Sequence, residues 1–115
     1  MNIGTFISKN EGDGCLTSKY MNDIVMIPFT ECATWRSEYK GKNASNVQLN
    51  KNKPFVGIYD AVRLQEGSGS VMAILTISLV DKGAYRLLWS DAKGVRQFEG
   101  FGMLVGELMI GSYWW

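Results

Sequence analysis

Five residues in the second half of the chain combine charge with flat aromatic surface at spacings that antiparallel strands can bring together: Asp60, Trp89, Arg96, Phe98 and Trp115. A carboxylate, a guanidinium and three rings on one side of a sheet would make a pocket for a small apolar or aromatic molecule. The rings would supply contact area, and the polar groups would fix the ligand's orientation. Asp60, or another carboxylate with a displaced pKa, would also have to carry any acid–base chemistry. Histidine is absent from the 115 residues. That removes the usual general base, the Ser–His–Asp and Cys–His nucleophile systems, and His-ligated metal sites. The expectation is a non-enzymatic protein with no catalytic residues, no metal and no cofactor.

Such a pocket needs strands of matched length to hold it. Val71, Ala73, Leu75, Ile77 and Leu79 are apolar at every second position of a β-branched, aliphatic run, which reads as a strand. Asp81-Lys82-Gly83 then reads as a three-residue hairpin loop. Ala84 to Ser90, a turn at Asp91-Ala92-Lys93-Gly94, Val95 to Val105, a two-residue turn at Gly106-Glu107 and Leu108 to Trp115 complete the series. Strands at about ten-residue spacing with turns between them indicate a meander closed into a barrel or folded as a sandwich.

Turn lengths fix which residues oppose one another, because side chains alternate along a strand. A loop of 81–83 pairs Leu79 with Tyr85, Ile77 with Leu87 and Leu75 with Trp89. A loop of 91–94 pairs Leu87 with Phe98, Tyr85 with Gly100 and Trp89 with Arg96, and it sets Arg86 opposite Glu99 on the outer side. A loop of 106–107 pairs Gly100 with Tyr113 and Phe98 with Trp115. One face then carries Leu75, Ile77, Leu79, Tyr85, Leu87, Trp89, Phe98, Gly100, Gly102, Met109, Gly111, Tyr113 and Trp115, the expected core. Pairing Val62 with Ala73 turns Asp60 inward, level with Leu75, Trp89 and Arg96. The predicted pocket mouth lies near loops 65–70 and 91–94. The core-facing glycines have two readings: curvature filled by neighbouring aromatics, or the floor of a cavity.

On the opposite face Phe101, Met103, Leu108 and Ile110 gather near the 81–83 and 106–107 turns, with Ala84 close by. An apolar patch of this kind is either covered or binds something. The first fifty residues could cover it, and a homodimer contact is the other use, since two-fold dimers are the commonest oligomers.

The first half is less regular. Ile3 to Ser8 and Ile24 to Phe29 read as strands, with a Gly-rich turn at residues 11–14. Between Glu31 and Tyr39, Cys32, Trp35 and Tyr39 match one helical face, whereas Ala33, Trp35 and Tyr39 suit alternation; a short helix is expected. Lys40 to Lys53 is polar, rich in Asn and Lys, and reads as a solvated loop. The chain is expected to form one domain over residues 1–115, with 46% hydrophobic and 20% charged residues excluding disorder. Its net charge of +1 gives no general attraction to nucleic acid or to an anionic membrane. No apolar run reaches the ~20 residues of a membrane helix, and Met1 to Asn10 lacks the pattern of a signal peptide. A cytoplasmic location follows as the expectation, with Cys15 and Cys32 as structural thiols.

From residue 55 onward the motifs Gly57-Ile58-Tyr59, Tyr85-Arg86-Leu87-Leu88-Trp89, Phe98-Glu99-Gly100-Phe101-Gly102 and Gly111-Ser112-Tyr113-Trp114 resemble small lipocalin-like (calycin) barrels. Where lipocalins carry Gly-x-Trp on their first strand, this sequence has Ala33-Thr34-Trp35. The resemblance implies an up-and-down barrel that holds an apolar ligand or acts as an inhibitor. Together with the register, it sets the expected fold as all-β, with a small-molecule-binding barrel as the first functional reading. A protein-interaction or inhibitor-like module built on the outer patch is the second.

Overall fold

The structure, a computed structural model, describes residues 1–12, 14–24, 28–36, 54–65 and 69–115. Eight antiparallel strands follow one another around a closed barrel: β1 (Ile3–Gly12), β2 (Cys15–Asn22), β3 (Phe29–Trp35), β4 (Gly57–Gln65), β5 (Gly69–Asp81), β6 (Ala84–Ser90), β7 (Arg96–Val105) and β8 (Leu108–Trp114). β1 closes on β8, with Phe6 opposite Gly111 and Ile7 opposite Ile110. Closure pairs each of the eight described strands on both sides. No described residue is helical, and no helix is long and apolar enough to cross a membrane.

Strict alternation decides what lies inside. In β1, Gly4, Phe6 and Ser8 are buried while Thr5, Ile7 and Lys9 are exposed, and β6 buries Tyr85, Leu87 and Trp89 in the same way. The buried apolar core draws on every strand but β7: Phe6, Leu16, Tyr20, Ala33, Trp35, Tyr59, Ala61, Leu75, Ile77, Tyr85, Leu87, Trp89, Met109 and Tyr113, with Phe55 from the segment before β4, and β7 adds the partly buried Phe98 and Leu104. The face expected from the turns is the inner one, although Leu79, Phe98 and Gly111 are only half-buried and Trp115 is exposed. Leu79 opposes Tyr85, Ile77 opposes Leu87 and Leu75 opposes Trp89, and Gly100 opposes Tyr113.

Three expectations are corrected. The segment read as a short helix is strand β3 through Trp35, and residues 37–39 lie outside the described ones. Glu31, Ala33 and Trp35 point inward while Cys32 and Thr34 point out, a period of two that wins because both neighbours, β2 and β4, offer a complete ladder. Trp35 consequently sits on the third strand rather than the first. Of the strand read over Ile24–Phe29, residues 25–27 lie outside the described ones; Ile24 is exposed and not in a strand, and β3 starts at Phe29. The β6–β7 connection is also longer than four residues: Asp91 N–H donates to Val95 O at 2.9 Å, and Ser90 opposes Arg96. Gln97 is then left over as a bulge, so that Trp89 faces Phe98 and Leu87 faces Gly100. One extra loop residue and one bulge residue make a shift of two, which restores the parity of every later side chain. The inner face survives the correction for that reason. Arg86 opposes Phe101 instead of Glu99, yet it still hydrogen-bonds Glu99 diagonally across the outer face.

The core-facing glycines are filled by their neighbours. A Cβ on Gly100 would stand 2.7 Å from the Ser112 carbonyl oxygen and 3.3 Å from the Trp89 ring. On Gly102 it would meet Met109 at 2.7 Å and Phe6 at 3.2 Å. These positions make room for rings and for the Met109 side chain, which settles the two readings in favour of curvature filled from within the protein.

Candidate functional site

Trp89 stands at the centre of the barrel, fully buried, with the rings of Tyr20, Tyr113, Phe6 and Phe98 at centroid distances of 6.0, 6.1, 6.2 and 6.4 Å. The middle is thus occupied by side chains. Towards the hairpins β5–β6 and β7–β8, Trp35 lies across Gly57, and the Tyr59 hydroxyl donates to the Phe55 carbonyl at 2.9 Å.

The opposite end, where both termini lie, is different. Asn2 and Trp115 exchange backbone hydrogen bonds of 3.1 and 3.2 Å, which fixes the C-terminal residue against the start of β1. Trp115 then stacks on Tyr113 at 5.7 Å and meets Phe98 edge-on at 5.4 Å, while remaining 37% exposed. Phe29 and Phe98 are only partly buried, and they pack on the core from this end. Three rings are therefore available at a barrel mouth whose floor is Trp89, Tyr113 and Tyr20.

Beneath them lies a buried ion pair. Glu31 of β3 opposes Arg63 of β4, and both point inward, at 1% and 5% exposure. Arg63 Nη2 lies 3.4 Å from Glu31 Oε2; the Tyr20 hydroxyl donates to Glu31 Oε1 at 2.6 Å, and Trp89 Nε1 donates to the same oxygen at 3.4 Å. The guanidinium is surrounded by rings, 4.7 Å from the centroid of Phe98, 5.3 Å from Tyr20 and 5.6 Å from Phe29. Its Nε–H is buried with no acceptor among the described residues. Burial, then the neighbouring Glu31 carboxylate, hold the Tyr20 hydroxyl well above its usual pKa. Burial likewise raises Tyr113, whose hydroxyl accepts a 3.3 Å bond from Asn22 Nδ2.

Of the five pocket residues expected from the sequence, the structure brings Trp89, Phe98 and Trp115 together and turns Asp60 and Arg96 outward. Ala61, not Val62, opposes Ala73, and that one-residue slip reverses the facing of all of β4. Asp60 is consequently exposed, 3.8 Å from Arg36. Arg96 precedes the Gln97 bulge, and it pairs with Glu99 at 2.9 Å on the outer side. The inward charges are instead Glu31 and Arg63. Their signal in the sequence is the alternation Glu31-x-Ala33-x-Trp35 and Tyr59-x-Ala61-x-Arg63, visible once both segments are read as strands. Among the described residues no group of three or more Cys, Asp or Glu is placed to hold a metal.

The outer patch is assembled as its sequence positions implied. Met103 opposes Ile110 and Ala84, Val105 opposes Leu108, and Phe101 stacks on Trp114 at 6.0 Å. β1 extends the patch: Ile7 continues the row through Ile110 and Met103, and Ile3 lies beside Trp114. Met103 is 61% exposed and Phe101 47%. The Lys40–Lys53 loop falls outside the described residues, and Cys15 and Cys32 are free thiols facing outward from neighbouring strands. Comparison with protein-family models, with curated proteins and with solved structures finds no match to this chain.

Proposed function

We propose that this chain is a non-enzymatic binding barrel of the lipocalin-like kind. It takes a small apolar or aromatic molecule at the end bounded by Phe29, Phe98 and Trp115. The closed eight-strand meander supports the calycin-like reading. The observation that carries the binding reading is the contrast along the barrel axis. The middle is packed with fully buried rings, whereas at the end shared by the termini three aromatics stay partly exposed over a partly satisfied polar pair. Apolar walls with a few fixed polar groups are the usual composition of a ligand site. Titration with a neutral naphthalene probe, read by tryptophan fluorescence, should give saturable one-site binding that Trp115→Ala weakens about tenfold or more, as expected when one stacked ring of about 1–3 kcal/mol is removed. Absence of saturable binding overturns this reading.

The exposed stripe on β7, β8 and β1 favours a second use, as a contact with a second copy of the chain. Ile110 lies at its middle, flanked by Ile7 and Met103 at one level, so a two-fold axis passing there would lay the patch on itself. Light scattering across a range of concentrations should show a dimer that the pair Ile7→Lys and Met103→Lys converts to monomer. A monomer at every concentration overturns it. The outward-facing free thiols support residence in a reducing, cytoplasmic compartment.

A further inference from the structure

The ion pair at the barrel end is balanced in charge but not in hydrogen bonding. Glu31 neutralises Arg63 and is itself well served, accepting from Tyr20, Trp89 and Arg63. Arg63, by contrast, makes one polar contact among the described residues, the 3.4 Å approach to Glu31, and its buried Nε–H has no acceptor among them. A buried donor left without an acceptor costs free energy, more so on a charged group, and a ligand acceptor there would recover it. That group lies among Phe98, Tyr20 and Phe29, two of which are the partly buried rings of the end already described.

Resting on the binding reading above, we propose that this end selects neutral, planar aromatic carbonyl compounds: aryl ketones, amides or lactones. The carbonyl oxygen accepts from Arg63 Nε–H, and the ring system packs against Phe98 and Trp115. The charge count selects against carboxylates. Arg63 and Glu31 already cancel, so an anionic ligand would place a second negative charge beside Glu31 in a site sheltered from water. A neutral acceptor satisfies the open N–H without that repulsion. A purely hydrocarbon ligand of the same shape would leave the donor unmet.

The test compares three probes on the full chain by isothermal titration: methyl naphthyl ketone, isopropenylnaphthalene of nearly the same shape, and naphthoate. The ketone should bind about tenfold or more tightly than the hydrocarbon, the increment of one hydrogen bond to a charged donor. Naphthoate should bind more weakly than the ketone. In the paired variant Glu31→Gln with Arg63→Met, the ketone should lose its advantage over the hydrocarbon. Equal binding of ketone and hydrocarbon to the wild-type protein overturns the Arg63 assignment and leaves the barrel-end reading standing. Naphthoate binding tighter than the ketone also overturns it, by making the site an anion site. Failure of all three probes to bind removes both the assignment and the reading beneath it. The wild-type comparison decides the matter even if the paired variant does not fold.

Discussion

A guanidinium enclosed by three rings inside a barrel is held there by what surrounds it, because an arginine in apolar surroundings without a counter-charge would not persist. Glu31 supplies the charge; Phe98, Tyr20 and Phe29 supply faces on which the planar cation rests, contacts worth about 0.5–2 kcal/mol each when desolvated. Removing one member therefore costs more than the attraction it provided. Arg63→Met should destabilise the fold by roughly 3–5 kcal/mol by stranding the Glu31 carboxylate, while Glu31→Gln with Arg63→Met should recover most of that loss. Denaturant unfolding of the two variants side by side measures this, and equal destabilisation by both would show that the pair is not coupled. The pair was the least legible part of the sequence. Arg63 lies on a strand whose register hung on a single pairing, Val62 with Ala73, that is off by one residue. Glu31 lies where helical and strand periods overlapped, and only β2 and β4 on either side decide between them.

At the scale of strands and turns, legibility followed the local chemistry of the connections. The β5–β6 and β7–β8 hairpins could be placed from their glycines. Gly83 and Gly106 have φ of +69° and +63°, and both registers follow. The β6–β7 connection could not be placed in full, since a bulge at Gln97 has no composition signal of its own. The strand β2 between Gly14 and Asp23 mixes Thr, Ser and Lys with Leu16 and Tyr20, a pattern that says little until β1 and β3 lie beside it. The glycines also separate two kinds of constraint. Gly106→Ala meets no neighbour and should lose only about 1–2 kcal/mol to its left-handed backbone. Gly111→Ala would drive a Cβ to 2.0 Å from the Phe101 carbonyl oxygen and 2.7 Å from the Gly102 Cα, both backbone atoms that cannot swing away. Its loss should exceed the ~1–3 kcal/mol of ordinary overpacking. Thermal melts of the two variants check the order, and a milder effect at Gly111 would mean that β7 and β8 do not approach so closely.

For the whole molecule, the same packing that closes the barrel sets how it responds to alkali. Tyr20, Tyr59, Tyr85 and Tyr113 are all buried, and burial raises the pKa of each; Glu31 adds to the effect at Tyr20. The folded state therefore holds these phenol protons to higher pH than the unfolded chain, whose tyrosines titrate near the ordinary value of about 10. Below that pH both states are neutral at these groups, and their contribution to stability is complete. Above it the unfolded chain releases protons that the folded chain keeps, so stability falls as pH rises, by up to about 1.4 kcal/mol per pH unit for each such tyrosine. Four groups acting together make the loss steep. The expected outcome is one cooperative alkaline transition in which near-ultraviolet circular dichroism disappears as the absorbance of these four tyrosinates rises. Tyr20→Phe would remove one of the four raised groups and make the transition shallower, although it also deprives Glu31 of its shortest hydrogen bond. If the four rings ionised near pH 10 while the dichroism persisted, their hydroxyls would have to be open to water. The packed middle of the barrel, and with it the confinement of any ligand to the end beside the termini, would then fail together.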